Sequence, residues 1–253
     1  MDGYLKEFTK HYCQTAAGCN AQKELPTATL VRQIIETATE HANILGIGYN
    51  ELIRENNAWV LSRLAIELNR MPRMHEDYSL TTWIDSFNRH FSRRNFVLES
   101  SSGEILGYIS TVWVAINIKS RRPADLSSIA DMEKMTFQRE CRVTSKGRIK
   151  PDMRHDIAKS YLFATTDIDF NRHVTTARYV ELIENQFDLD FYDRNEITHF
   201  EISFHHESVW GERVDIYTQM NEATGESYSM IHSEKNGAVC TSITTFRPRV
   251  KIA

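Results

Sequence analysis

The sequence predicts an α+β protein in which one architecture, a helix wrapped by a strongly curved antiparallel sheet, occurs twice in succession. Three observations carry this. The 253 residues suffice for between one and two domains with a sizeable core. The order of extended segment, helical stretch and run of strands recurs in both halves. In neither half do strands alternate with helices, as a parallel doubly wound sheet requires.

In the first half a helix is expected over 29–45, where Leu30, Ile34, Ile35, Ala38, Ala42 and Leu45 fall at helical spacing. Pro26 and Thr27 suit its start and Gly46 its end. Strands rich in Val, Ile, Trp and Thr follow at 59–68, 78–87, 91–99 and 105–118, with a hairpin turn at 100–103. In the second half a helix over 175–187 sets Ala177, Val180, Ile183 and Phe187 on one face, with a threonine as N-cap. Strands follow at 199–206, 212–220, 227–234 and 238–246, separated by turns at 221–225 and 235–237. Between the halves, 127–154 is charged and poor in aliphatic residues, and reads as a connector. From 139 to 150 it carries Arg139, Arg142, Lys146, Arg148 and Lys150 against Glu140 alone. A solvated linker is the favoured reading of that run, ahead of a patch for an acidic partner.

Composition excludes several classes. Hydrophobic residues at 41% and charged residues at 25% are ordinary globular usage, and a net charge of -4 gives no global pull toward nucleic acid or anionic membrane. Cys13, Cys19, Cys141 and Cys240 form no CxxC pair and stand at no zinc-finger spacing, so free thiols in a reducing compartment are expected. The most apolar stretch, 105–118, contains Ser110, Thr111 and Asn117 and is too short to span a bilayer. No apolar signal segment opens the chain, which makes the cytoplasm the default location. GxSxG, Walker A, GxGxxG and HExxH motifs are all missing, and no cofactor and no metal are expected. His205, His206 and Glu207 would alternate across a strand, a poor arrangement for a shared ion.

One run carries chemistry. Thr166-Asp167-Ile168-Asp169-Phe170-Asn171-Arg172-His173-Val174 directly precedes the second helix. If the chain is extended there, Asp169, Asn171 and His173 line one side, next to helix amides suited to holding an oxyanion. The other reading of the same spacing is a polar loop in which Asp and Asn make turns and cap the helix. Spacing alone leaves both open.

Asp169 to Val174, followed by Ala177-Arg178-Tyr179-Val180, resembles the Asp-x-Asn-x-His-Val motif of acyl-acyl carrier protein thioesterases, which are double hotdog enzymes. The likeness extends to Asn57-Ala58-Trp59-Val60-Leu61-Ser62-Arg63-Leu64, Thr82-Trp83-Ile84, Arg93-Arg94-Asn95-Phe96, Ser110-Thr111-Val112-Trp113-Val114 and Arg121-Arg122-Pro123. It implies two tandem hotdog domains, each a long helix wrapped by a curved antiparallel sheet, 1–128 with the acyl-chain pocket and 155–253 with the catalytic residues, joined by a connector at 129–154. It implies hydrolysis of fatty acyl-acyl carrier protein to free fatty acid, ending chain elongation. The implied catalytic set is Asp169, Asn171, His173 and Glu207, the last on the strand after the second helix. Glu207 would be the base for attack by water and Asn171 would orient water or the oxyanion. His173 would orient the carboxylate or protonate the thiolate, and Asp169 would hold Asn171 or His173. Plant members carry Cys where this chain has Ser208, which excludes a cysteine nucleophile here. The first half, at 20–27, shows no counterpart of the polar set. Trp59, Trp83 and Trp113 are minor candidates for the acyl tunnel. The expected partner is the carrier protein, with Arg93, Arg94, Arg121, Arg122, Arg142, Lys146, Arg148 and Arg172 as docking candidates. No nucleic acid and no membrane span are expected, and the chain is a monomer or homodimer. An acyl-coenzyme A thioesterase and a non-catalytic acyl-binding protein are the alternatives.

Overall fold

The computed structural model describes residues 3–126, 129, 131–147 and 159–250. In the first half β1 (Glu7–Cys13) leads to α1 (Thr27–Ile44) and the short α2 (Tyr49–Leu52), then β2 (Asn57–Leu68), β3 (Asp77–Phe87), β4 (Phe91–Ser100) and β5 (Ile105–Asn117). The second half repeats this order. It consists of β6 (Lys159–Leu162), α3 (Thr176–Glu184), α4 (Leu189–Arg194), β7 (Asn195–Phe204), β8 (Arg213–Asn221), β9 (Glu226–Ser233) and β10 (Gly237–Pro248).

The strands form one antiparallel sheet in the order β1-β3-β4-β5-β2-β7-β10-β9-β8-β6. Read outward from the central β2–β7 seam, the two wings have the same order. At the seam Arg63 pairs with Ser203, Ala65 with Glu201 and Glu67 with His199. Alternation along these strands sends Leu64, Ile66, Phe200 and Ile202 to the concave side, where α1 and α3 pack against each other. Leu30, Val31 and Ile34 of α1 share one buried cluster with Val180 and Ile183 of α3 and with strands of both wings, so the halves have a common core.

The first helix lies within two residues of its expected ends, but the second is shorter than 175–187. Asn185 leaves helical geometry and the chain turns into α4, which is capped by Asp188, whose carboxylate accepts the Phe191 amide. The second half is therefore wrapped around a nine-residue helix rather than a long one. The expected turns hold: Gly103 and Gly225 both take positive φ, and a Cβ on Gly225 would stand 2.8 Å from the Phe246 carbonyl oxygen.

The connector is not a solvated tether where it is described. It crosses the convex face of the sheet, with Arg139 on Glu7, Ser145 Oγ and the Lys146 amide both 2.7 Å from Glu201, and Lys146 Nζ on Glu226. Arg139 also lies 5.1 Å above the Trp83 ring, which faces away from the helices and so lines no tunnel on the concave side. Residues 127, 128, 130 and 148–154 of the expected connector, with Arg148 and Lys150 of its basic run, lie outside the described residues.

Candidate active site

The run before α3 is a tight loop, not an extended strand. Ile168 and Val174 form an antiparallel bridge, and between them Asp169 Oδ1 accepts the amides of Asn171 (2.8 Å) and His173 (3.1 Å). The Asp169 amide donates to the His173 carbonyl at 2.8 Å, and Arg172 takes φ 65°. The alternation argument fails because Asp169 spends its carboxylate on this loop's own backbone, as an Asx turn does. Asp169 thus orients Asn171 and His173 through their main chain.

The loop is anchored on both sides. Thr175 Oγ1 accepts the Arg178 amide and caps α3. Buried Asp167 takes Arg178 Nε at 2.6 Å, the Tyr161 hydroxyl at 3.0 Å and the Ala164 amide at 2.8 Å. Arg178 also pairs with Glu181, which pairs with Arg32 on α1. Asp167 is the anchoring residue that sequence reasoning missed, although Asp167 lies in the quoted motif.

Glu207 lies beyond the end of β7, in the loop that connects it to β8, rather than on the strand as expected. The chain leaves the ladder because the His205 and His206 amides both turn to the Val239 carbonyl, and the Val174 amide fastens the loop at the Ser208 carbonyl, 2.9 Å away. This closure brings Glu207 Oε2 to 3.4 Å from His173 Nε2, with each side chain about one third exposed, at 31% and 32%. Arg121, from the turn after β5 in the other half, donates to the same Oε2. Asn171 is exposed on the same loop. Ser208 is fully buried, and its amide donates to the Tyr179 hydroxyl at 3.1 Å. Burial pushes that phenol well above its usual range, so it stays protonated. Around the site Phe170, Val209 and Trp210 are exposed, and Phe170 meets Tyr49 of the first half edge-on at 6.1 Å.

An acid and an imidazole in contact, on a rim open to water and flanked by apolar side chains, can move a proton to and from a reacting group of an amphiphilic substrate. Comparison with known proteins names the family. Residues 6–131 match the acyl-ACP thioesterase N-terminal domain and residues 150–248 the acyl-ACP thioesterase C-terminal domain. The chain belongs to the acyl-ACP thioesterase family. It is similar to an acyl-ACP thioesterase from Bacteroides thetaiotaomicron, at 29% identity and TM-score 0.89 over 96% of this chain and 98% of that one. A 12:0-ACP thioesterase from Umbellularia californica shares the fold, with TM-score 0.85 at 18% identity over 96% and 98% of the two chains. Among curated proteins, a chloroplastic palmitoyl-acyl carrier protein thioesterase from Cuphea hookeriana is 23% identical over 98% of this chain and 64% of that protein. The chain therefore spans just under two thirds of the length of that relative.

This acyl-ACP thioesterase family member repeats its site loop in the first half. Asn20 Oδ1 accepts the amides of Gln22 (3.1 Å) and Glu24 (2.9 Å), Lys23 takes φ 61°, and the Leu25 amide bonds the Pro72 carbonyl at 2.9 Å. Bond for bond, Asn20, Gln22, Glu24 and Met71 stand where Asp169, Asn171, His173 and Glu207 stand. The first half lacks the chemistry, as the sequence implies, but keeps the geometry. The Asn-x-Gln-x-Glu spacing was the signal for it.

The docking candidates divide. Arg94 is buried, 4% exposed, where its guanidinium meets His41 Nδ1 at 2.7 Å, so it cannot reach a partner. Burial and the Arg94 charge push His41 down to about 4, which keeps it neutral. Arg142 is engaged by Glu140 and Lys146 by Glu226, and Arg148 lies outside the described residues. Arg93, Arg122 and Arg172 are exposed.

Proposed function

We propose that this chain hydrolyses the thioester of fatty acyl-acyl carrier protein, releasing free fatty acid and ending chain elongation. The observation that carries this is the Glu207–His173 contact, 3.4 Å across, built by two loops that each half of the fold makes but only the second half fills with an acid and an imidazole. In this reading Glu207 takes a proton from water, and the resulting hydroxide attacks the thioester carbonyl. Asn171, exposed on the same loop, donates to the oxyanion; loss of one such donor costs about 10²- to 10³-fold. His173 delivers a proton to the departing thiolate as the tetrahedral intermediate collapses. Asp169 fixes the loop that presents both. The acyl chain would lie in the first half, 1–128, and the carrier would dock with its phosphopantetheine arm entering at Glu207. Four free cysteines suit a reducing compartment such as the cytoplasm.

Thiol release from acyl carrier protein loaded with a ladder of chain lengths tests this, with acyl-coenzyme A in parallel. Glu207→Ala and His173→Ala should each lower turnover by roughly 10²-fold or more. Ser208→Ala should retain most activity, because a fully buried hydroxyl cannot meet the substrate. Faster release from coenzyme A than from the carrier would transfer the assignment to that substrate. Acyl binding without release would leave a binding protein.

A further inference from the structure

The two halves exchange arginines. In each half a carboxylate at the site, or at its first-half counterpart, is held by a guanidinium from the opposite half: Glu24 by Arg249, which follows β10, and Glu207 by Arg121, which follows β5. The two pairs are built differently. Arg249 grips Glu24 with two bonds of 2.8 Å, and its Nε donates to the carbonyls of Tyr192 (2.8 Å) and Asn195 (3.0 Å). Its side chain and that of Glu24 are only 20% and 13% exposed. Arg121 and Glu207 are 51% and 31% exposed, and Glu207 is the sole side-chain partner of Arg121 among the described residues. The first pair is a clamp held by several hydrogen bonds and largely shielded from solvent, whereas the second is a contact that solvent and other anions can reach.

Arg121 sits in a turn made for presenting charge. Its amide bonds the Asn117 carbonyl at 2.8 Å, its φ is 56°, and Ile116 and Pro123 close the turn by a bridge. Lys119 and Arg122 beside it are exposed and make no ion pair among the described residues. Three cations thus project where cargo must arrive, and one of them occupies the carboxylate oxygen that also faces His173. An anionic surface docking here competes with Glu207 for Arg121. Coulomb attraction between exposed groups is weak enough for that exchange to occur readily.

We propose that Arg121 is a displaceable latch on Glu207. In the free protein it occupies the carboxylate, and acidic side chains of the incoming carrier draw it off, so that the base is released as the cargo arrives. The inference rests on Glu207 being the base. It makes Arg121 a positioning residue with opposite effects on two substrates: the carrier-bound acyl group, and the same acyl group on a short uncharged thiol.

The test measures both substrates with wild type, Arg121→Ala, Arg121→Lys, Arg249→Ala and Glu207→Gln, with melting temperatures alongside. For Arg121→Ala, kcat/KM on the short thioester should rise about threefold to fivefold, the population factor that an exposed ion pair supplies. On the carrier, KM should rise while kcat holds. Arg121→Lys should fall between, and added salt should speed the short thioester in the wild type but not in Arg121→Ala. Arg249→Ala should lower the melting temperature and leave turnover of the short thioester unchanged. Full activity of Glu207→Gln would remove the base and the latch with it. An inactive Glu207→Gln, together with an Arg121→Ala that slows or leaves unchanged the short thioester, overturns the latch alone.

Discussion

Asp169 shows how a motif can be legible while its reason is not. The Asp-x-Asn-x-His spacing marked a segment whose His173 faces Glu207 in the fold, but an extended chain was the wrong geometry, because a side chain that accepts two amides bends its own backbone. Asn20 does the same with an amide oxygen in the first half, at distances of 2.9–3.1 Å. The comparison yields a prediction. The loop needs an acceptor at this position, not a charge, so Asp169→Asn should keep turnover within about threefold of wild type. Asp169→Ala removes two hydrogen bonds, each worth about 0.5–1.5 kcal/mol, and should lower kcat at least tenfold as His173 loses its orientation. Steady-state kinetics of the pair decides it; equal loss in both variants would mean that the carboxylate acts on the reaction directly. Glu207 was legible only through resemblance, since nothing in His-Glu-Ser foretells a loop that leaves its strand.

At the scale of elements, apolar spacing located both main helices and all eight long strands, because burial of one face fixes period and phase together. What it could not give was α4, six residues whose Phe191 and Tyr192 pack on Phe187 and Phe246 but which are too few to show a helical period. Nor could it show how the helices meet. Helix α1 begins after Pro26, which offers no side-chain acceptor, and the Thr27 hydroxyl in its first turn donates to the Glu184 carboxyl at the end of α3. Burial, reinforced by the Glu181 charge and opposed by the Thr27 bond, pushes Glu184 up to about 7. The native state thus binds this proton more tightly than the unfolded chain, whose carboxyl titrates near 4.5. The resulting stability is fully present below that lower value and is lost as pH rises through about 7. Melting temperature should therefore decline over that window in the wild type. In Glu184→Gln, which stays neutral, it should decline less and exceed the wild type above pH 7. Parallel curves for the two proteins would show that Glu184 is ionised in the fold.

For the whole molecule, the repeat in the sequence foretold two similar halves, yet their register depends on residues far apart in the chain that no local pattern relates. The β2–β7 seam is closed on its convex face by Glu201, which is 1% exposed. Burial raises the pKa of this carboxyl, but the His199 imidazole 3.7 Å away and hydrogen bonds from Ser145 and the Lys146 amide outweigh it and hold the group below its usual range. First wing, second wing and connector meet here, since Arg63 of β2 also reaches it at 3.9 Å. Glu201→Ala would leave the Ser145 hydroxyl and the Lys146 amide without their acceptor and Arg63 and His199 without the nearby carboxylate. Loss of one member of a buried charged cluster costs about 3–5 kcal/mol, whereas Glu201→Gln keeps one acceptor oxygen and should cost less. Because both wings and both helices line one apolar cluster, that loss should lower a single cooperative transition rather than split it. Calorimetry of the intact chain makes the distinction. Two separate transitions in Glu201→Ala, one per half, would mean that each wing is stable without the other and that the common core contributes little to holding them together.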